Sequence, residues 1–353
     1  MYFALLLGCG GDDPHPWVDD SGVADDTAPD CPAPPDLVAA FGAAIEGEAD
    51  ACDRAALAEW VAAKKEEHGP WNQDVRRATS SDGDTFEAID DVNVLATAGV
   101  PEAVIGDDGR TYLFHVVGDI DRIEALAEAG DPWMATHGVP GLGALGLAVS
   151  DDGVTFEEVE EFEVEGLTAG MVVDPDVTRA PDGTWRLWYV AMTMQEYLER
   201  YTWEEGEEHD VWVAESTDLV RWVQRPEPVV HGPYADPSVW CFDEANCAMS
   251  SFGLDWSEST DGGETFTYAG TWETPGFAPE FTELSDGAVR LYYNSKDRGA
   301  PLRSYRHEPG GAWEPEDGVR METYGEAVTI VPAPEGGWNL YYHTFKDADD
   351  IPI

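Results

Sequence analysis

One pattern recurs along the chain and restricts its fold more than any other feature. Pro, an acid, five residues, Asp-Gly, three residues, Leu and an aromatic follow one another in three places. They are Pro101-Glu102 with Asp108-Gly109 and Leu113-Phe114, Pro175-Asp176 with Asp182-Gly183 and Leu187-Trp188, and Pro279-Glu280 with Asp286-Gly287 and Leu291-Tyr292. A looser copy runs from Glu326 through Gly336-Gly337 to Leu340-Tyr341. Another begins at Asp236-Pro237-Ser238-Val239 and carries Cys241 and Cys247 in place of the Asp-Gly turn. Each copy reads as strand, tight turn, strand.

A second motif alternates with the first. It is S-x-D-G-x-T-F at Ser80–Phe86 and Ser150–Phe156, lengthens by one Gly at Ser259–Phe266, and has a variant from Ser216 through Asp218 to Trp222. An Asp in such a turn can bond backbone N–H groups while the aromatic anchors the next strand. Interleaving the motifs gives five units. Each has an inner strand A, a turn, strand B, a variable loop, strand C, a second turn and strand D. The expected fold is all-β, a five-bladed β-propeller over residues 71–353. The last unit ends after strand B near Phe345, and the motif at Ser80 has no A and B strands before it. Residues 72–92 are therefore expected to supply strands C and D of the fifth blade, closing the ring and removing its open edge.

The S-x-D-G turns resemble the Asp-boxes of sialidases and related propeller glycosidases, where their role is structural. Together with the D-P pairs and Phe277-Ala278-Pro279-Glu280, they resemble the superfamily of glycoside hydrolase families 43, 32 and 68. The resemblance implies a carbohydrate-active enzyme that hydrolyses a glycosidic bond with paired carboxylates.

Topology locates the chemistry. The starts of strands A, the ends of strands B and the B–C loops share one face, so Glu102, Asp174, Asp176, Asp236, Glu280 and Glu326 are expected around the axis there. Crowded carboxylates raise one another's pKa values, which lets one remain an acid while another serves as base. Ala235-Asp236-Pro237-Ser238-Val239 most resembles the family's base segment, so Asp236 is expected as base and Glu280 or Glu102 as acid. The pattern departs from the family on blade 1, where Val100 and not Asp precedes Pro101. An acid beside Pro can instead cap an inner strand by accepting backbone N–H groups of the neighbouring blade. Long B–C loops bring Trp133 and His137 on blade 1, and Tyr197, Tyr201 and Trp203 on blade 2. Trp133, Trp203 and Tyr201 are candidate sugar platforms. Lys296, Arg298 and Arg303 could hold an acidic sugar, and His343 and Asn294 could reach the funnel. A calcium ion on the axis could neutralise the acids, although no EF-hand spacing marks one. The competing functions are a non-catalytic glycan-binding surface propeller and a purely structural surface protein.

Charge and the N-terminal region complete the picture. Asp and Glu number 72 against 19 Lys and Arg, a net charge of -53, which disfavours nucleic acid as a partner. Met1 to Cys9 ends in Leu6-Leu7-Gly8-Cys9, which resembles a bacterial lipoprotein processing box with Cys9 as the lipidated residue. Residues 10–36 read as an acidic, Pro- and Gly-rich tether. Residues 37–70 read as a helical extension with Leu37, Val38, Phe41, Ile45, Leu57, Trp60 and Val61 facing a core. Disulfides are expected between Cys31 and Cys52 and between Cys241 and Cys247, implying an oxidising compartment. The chain is thus expected to be an exported, lipid-anchored monomer of the cell envelope or extracellular space. It would meet a carbohydrate, and a membrane only through its anchor.

Overall fold

The computed structural model describes residue 31 and residues 36–65, 69–167, 170–200, 209–232, 234–297, 299–322 and 324–346, except the side chains of 90–92 and 198–200. Its strands form five sheets arranged as the blades of a β-propeller. Strands A to D of blade 1 are Ala98–Ile105, Thr111–Val117, Gly143–Ser150 and Glu157–Glu158. Blade 2 comprises Gly170–Arg179, Trp185–Thr193, His209–Ser216 and Arg221–Gln224. Blade 3 is Ser238–Cys241, Cys247–Ser251, Asp255–Ser259 and Thr267–Thr271, and blade 4 is Gly276–Glu283, Val289–Ser295, Leu302–His307 and Trp313–Pro315. Blade 5 takes strands A and B from Glu326–Pro332 and Trp338–Phe345, and strands C and D from Gln73–Ser80 and Glu87–Ala96. The expected closure therefore forms, with Gln73 paired to Phe345 and Ser80 to Trp338.

The Ser-Asp turns are joints between blades. In each, the Ser Oγ accepts an N–H three or four residues on, as from Gly83 to Ser80 and from Gly263 to Ser259. The turns at Ser80, Ser150 and Ser259 also offer a carbonyl to strand B of the preceding blade. Arg290 Nη1 donates to Gly83 O, the Tyr341 hydroxyl to Gly153 O and Arg186 to Gly262 O. Both expected disulfides are present, with Cα–Cα separations of 5.6 Å for Cys31–Cys52 and 3.9 Å for Cys241–Cys247. They accord with an oxidising, exported environment. Among the described residues no helix is long and apolar enough to cross a membrane. Cys9 and the proposed tether up to residue 30 lie outside the described residues.

The N-terminal extension is a helical hairpin, Leu37–Ile45 and Ala51–Lys64, capped by Asp36 and by an Asp50/Asp53 capping box. Phe41, Leu57, Trp60 and Val61 are buried, with Phe41 edge-on to Trp60 at 5.1 Å. Val38, expected to face the core, is 37% exposed, because Ala40, Phe41 and Ala44 form the packed stripe instead. That stripe joins Ile123 and Leu126 of the blade 1 B–C insertion and Met194 and Tyr197 of the blade 2 insertion in one apolar cluster. The extension thus packs on the loop face beside blades 1 and 2, whereas blades 3 and 4 have short B–C connections.

Candidate active site

The repeated Pro segment builds the funnel through one local device. The residue before the axial Pro or its equivalent has positive φ in every blade: Val100 44°, Asp174 56°, Asp236 46°, Ala278 48° and Ala327 48°. In blades 1, 2, 4 and 5 the A–B register slips at this point. These are β-bulges, which re-aim side chains; Pro suits the slot because it brings no N–H needing a partner. The bulge aligns Val100-Pro101-Glu102, Asp174-Pro175-Asp176, Asp236-Pro237-Ser238, Ala278-Pro279-Glu280 and Ala327-Val328-Thr329. Glu326, read from sequence as the fifth blade's matching acid, stands three residues before the matching place, which Thr329 occupies.

Five of the six acids are buried, each 4–7% exposed, and Asp236 is part-buried. Glu102, Asp174, Asp176, Asp236 and Glu280 line an axial cavity of about 30 Å³. So Asp174 and Asp176 both reach the axis. A cavity of that size holds about one or two waters or an ion and cannot enclose a sugar ring.

The acids form two tiers. In the deeper tier, ligand oxygens of Glu102, Asp176 and Glu280 lie within 4.8 Å of one another. Here the residues after the Pro slot clasp the next blade. Glu102 Oε1 accepts from Val177 N at 3.3 Å, and Asp176 Oδ2 from Val239 N at 3.1 Å. Ser238 Oγ accepts from Phe281 N at 2.9 Å, and Thr329 Oγ1 from Ala103 N at 3.0 Å. Burial, Glu102 and Asp176 together push Glu280 well above the usual carboxylate range, and burial with Asp176 does the same to Glu102. Burial lifts Asp176 to about 8. The oxygen donors suit a hard cation, but both oxygens of Asp176 and one of Glu102 already accept hydrogen bonds.

The tier at the strand starts holds Asp174, Asp236 and Glu326. Asp174 Oδ2 accepts the Asp236 backbone N–H at 3.0 Å. Among the described residues, no backbone N–H donates to the Asp236 carboxyl. Burial first, then the charges of Asp174 and Glu326, push Asp236 well above its usual range, and it hydrogen-bonds the Asp174 side chain. Burial lifts Asp174 to about 6, and burial with Asp174 lifts Glu326 to about 7. The Tyr324 hydroxyl donates to Glu326 Oε2 at 2.5 Å. Val100 N–H donates to His343 Nδ1 at 3.2 Å, so the neutral ring carries its proton on Nε2, 3.8 Å from Glu326 Oε2. Burial holds His343 at about 4, hence neutral. Tyr324 is absent from the sequence reading; nothing in a lone Tyr two residues before an acid marks it.

The other candidates separate clearly. Trp133 is stacked on His137 at 3.9 Å and covered by the Arg122 guanidinium at 3.9 Å, so both indole faces are occupied within the loop. Arg303 bonds Asp297 Oδ2 at 3.2 Å and does not line the axial cavity. Asn294 donates to Gly325 O and Ala300 O, tying blade 4 to the segment ahead of Glu326. Tyr201, Trp203 and Arg298 lie outside the described residues.

No protein-family model and no curated protein sequence matches the chain. Solved structures do. A family 117 glycoside hydrolase from the marine bacterium Zobellia galactanivorans aligns at 12% identity and a TM-score of 0.47, over 80% of this chain and 94% of that one. A GH43_1 enzyme from Xanthomonas citri, complexed with xylose, aligns at 12% identity and 0.45, over 72% and 89%. A protein of unknown function from Dyadobacter fermentans aligns at 15% and 0.44, over 75% and 77%. The chain is similar to these propellers, and no residue role follows from alignments this distant.

Proposed function

We propose that the propeller hydrolyses a glycosidic bond at the mouth of its axial funnel. The supporting observation is the Asp174–Asp236–Glu326 group, in which the part-buried Asp236 stands beside two buried carboxyls and their surroundings push the three proton affinities apart. Asp236, held protonated, would give its proton to the leaving oxygen. Glu326, oriented by the Tyr324 hydroxyl, would take one from the attacking water. This exchanges the base role expected for Asp236 from sequence, since burial beside two carboxylates favours the acid form. Glu102 and Glu280 fit the acid role less well, because their tier is too tightly closed to flank a sugar. The sugar site would then lie above the axial cavity, on the loop face.

A calcium ion in the deeper tier belongs to this proposal. Glu102, Asp176 and Glu280 would hold it, and its charge would relieve their mutual repulsion. Calcium is then expected to raise the melting temperature of the wild type and not of Glu280→Gln.

The narrow cavity favours a second reading, a propeller that binds glycan without cleaving it. A panel of plant and microbial oligosaccharides separates the two. Turnover lost in both Asp236→Asn and Glu326→Gln supports hydrolysis. Binding without turnover, unchanged in those variants, supports the glycan-binding reading.

A further inference from the structure

The opposite face, where the A–B turns lie, carries a vacancy that the chain itself explains. Blades 2 and 5 have matching A–B hairpins, Val177–Trp185 and Ile330–Trp338, with the same turn bonds: Ala180 N to Thr184 O at 2.8 Å and Ala333 N to Gly337 O at 3.0 Å. Between blades 1 and 2, the space over Trp185 is plugged. Arg179 places its guanidinium carbon 5.0 Å from the Trp185 ring centroid and pairs with Asp107 of blade 1 at 2.5 and 3.0 Å. Trp185 is left 6% exposed.

Between blades 4 and 5 the same space has lost its plug. Pro332 stands in the place of Arg179, and Ser285 of blade 4 in the place of Asp107. What remains is a cavity of about 440 Å³ lined by Trp338, Pro332, Ser285, Glu283 and Asp82. No Lys or Arg lines it. Glu283 occupies the position of Ile105 in blade 1, so a carboxylate has been added where the filled junction has an alkyl group. Hydrogen bonds from Asp84 N–H and the Ser80 hydroxyl hold Asp82 below the usual carboxylate range, so its charge persists.

We propose that this gap is a binding site for an organic cation, specifically a guanidinium group such as an arginyl side chain presents. The indole offers a π face and the carboxylates offer acceptors, the two features that already hold Arg179 at the blade 1–2 junction. The site is remote from the funnel, and the proposal is independent of glycosidase activity.

The test is titration of the full chain in about 0.15 M salt, where diffuse attraction to the acidic surface is screened, following the Trp338 indole N–H by nuclear magnetic resonance. Arginine amide is expected to shift that resonance saturably, with citrulline amide at least tenfold weaker. Asp236→Asn should bind like the wild type. In the double variant Ser285→Asp/Pro332→Arg, which rebuilds the plug from the chain's own residues, binding should be lost while the fold persists. By calorimetry, Trp338→Ala should weaken binding at least tenfold. A Gly-Arg-Gly peptide that binds more tightly than arginine amide points to a protein partner, and equal binding to a free cation. Equal affinity for citrulline amide, a stronger response to xylotriose, or undiminished binding in the plugged variant would overturn the proposal.

Discussion

The two tiers of axial acids come from one repeat and behave differently. In the deeper tier the repeat is obeyed: residues of four blades accept an N–H from the next blade, and Ser238 and Thr329 do this as well as Glu102 and Asp176. An acid there performs a task that an alcohol performs equally well. In the mouth tier the repeat is broken. Asp174 still clasps its neighbour through Asp236 N–H, whereas the Asp236 carboxyl is held by no backbone donor among the described residues. The difference shows that recurrence marks architecture, and that the departures from it mark the candidates for chemistry.

That contrast can be broken experimentally. The largest effect is expected for Asp236→Asn, a loss of roughly 10²–10⁴ in kcat/KM with little change in stability. If Glu102→Gln costs as much turnover, the tiers do not divide by role. Next, Ser238→Ala and Thr329→Val each leave a buried N–H unpartnered and should cost about 1–3 kcal/mol, read by denaturant unfolding, with turnover preserved.

The pH dependence sharpens the comparison further. Asp174, Glu326 and Asp176 are raised to about 6, 7 and 8 from ordinary values of 3.8, 4.5 and 3.8. Each contributes stability that is complete below its unfolded value and is lost as pH rises through its folded value. The melting temperature should therefore fall between pH ~4 and pH ~8, and Asp176→Asn should flatten the upper part of that fall. On the proposed roles, kcat/KM should rise as Glu326 ionises, with its acid limb near pH 7. The smallest effect is expected for Arg303→Ala. Its ion pair with Asp297 is part-exposed, so stability should stay within about 1 kcal/mol and turnover should be unaltered.

Much of the architecture was legible because it is written in periodic signals. Asp-Gly and Ser-x-Asp turns fixed the number of blades, and the orphan motif at Ser80 revealed the closure. The site was less legible. Counting acids near Pro identified the six axial carboxyls but not their two depths, because depth depends on a bulge with positive φ that Val100, Ala278 and Ala327 adopt despite their side chains. Glu326 fell out of register for the same reason: Val328, and no Pro, fills the slot in blade 5. Trp133 looked like a platform because sequence shows an aromatic in a long loop, not the His137 and Arg122 that cover its faces.

Ring closure has a consequence for how the chain is made. Gln73–Ser80 is synthesised long before its partner strand Trp338–Phe345. Until Trp338–Phe345 arrives, strands Gln73–Ser80 and Glu87–Ala96 lack the sheet they belong to, and the nascent chain carries two unpaired edges. Contacts of such long sequence separation form late and slowly. A chain that stops short of Trp338 would leave both edges open, so the topology makes synthesis through Phe345 a condition of folding the ring.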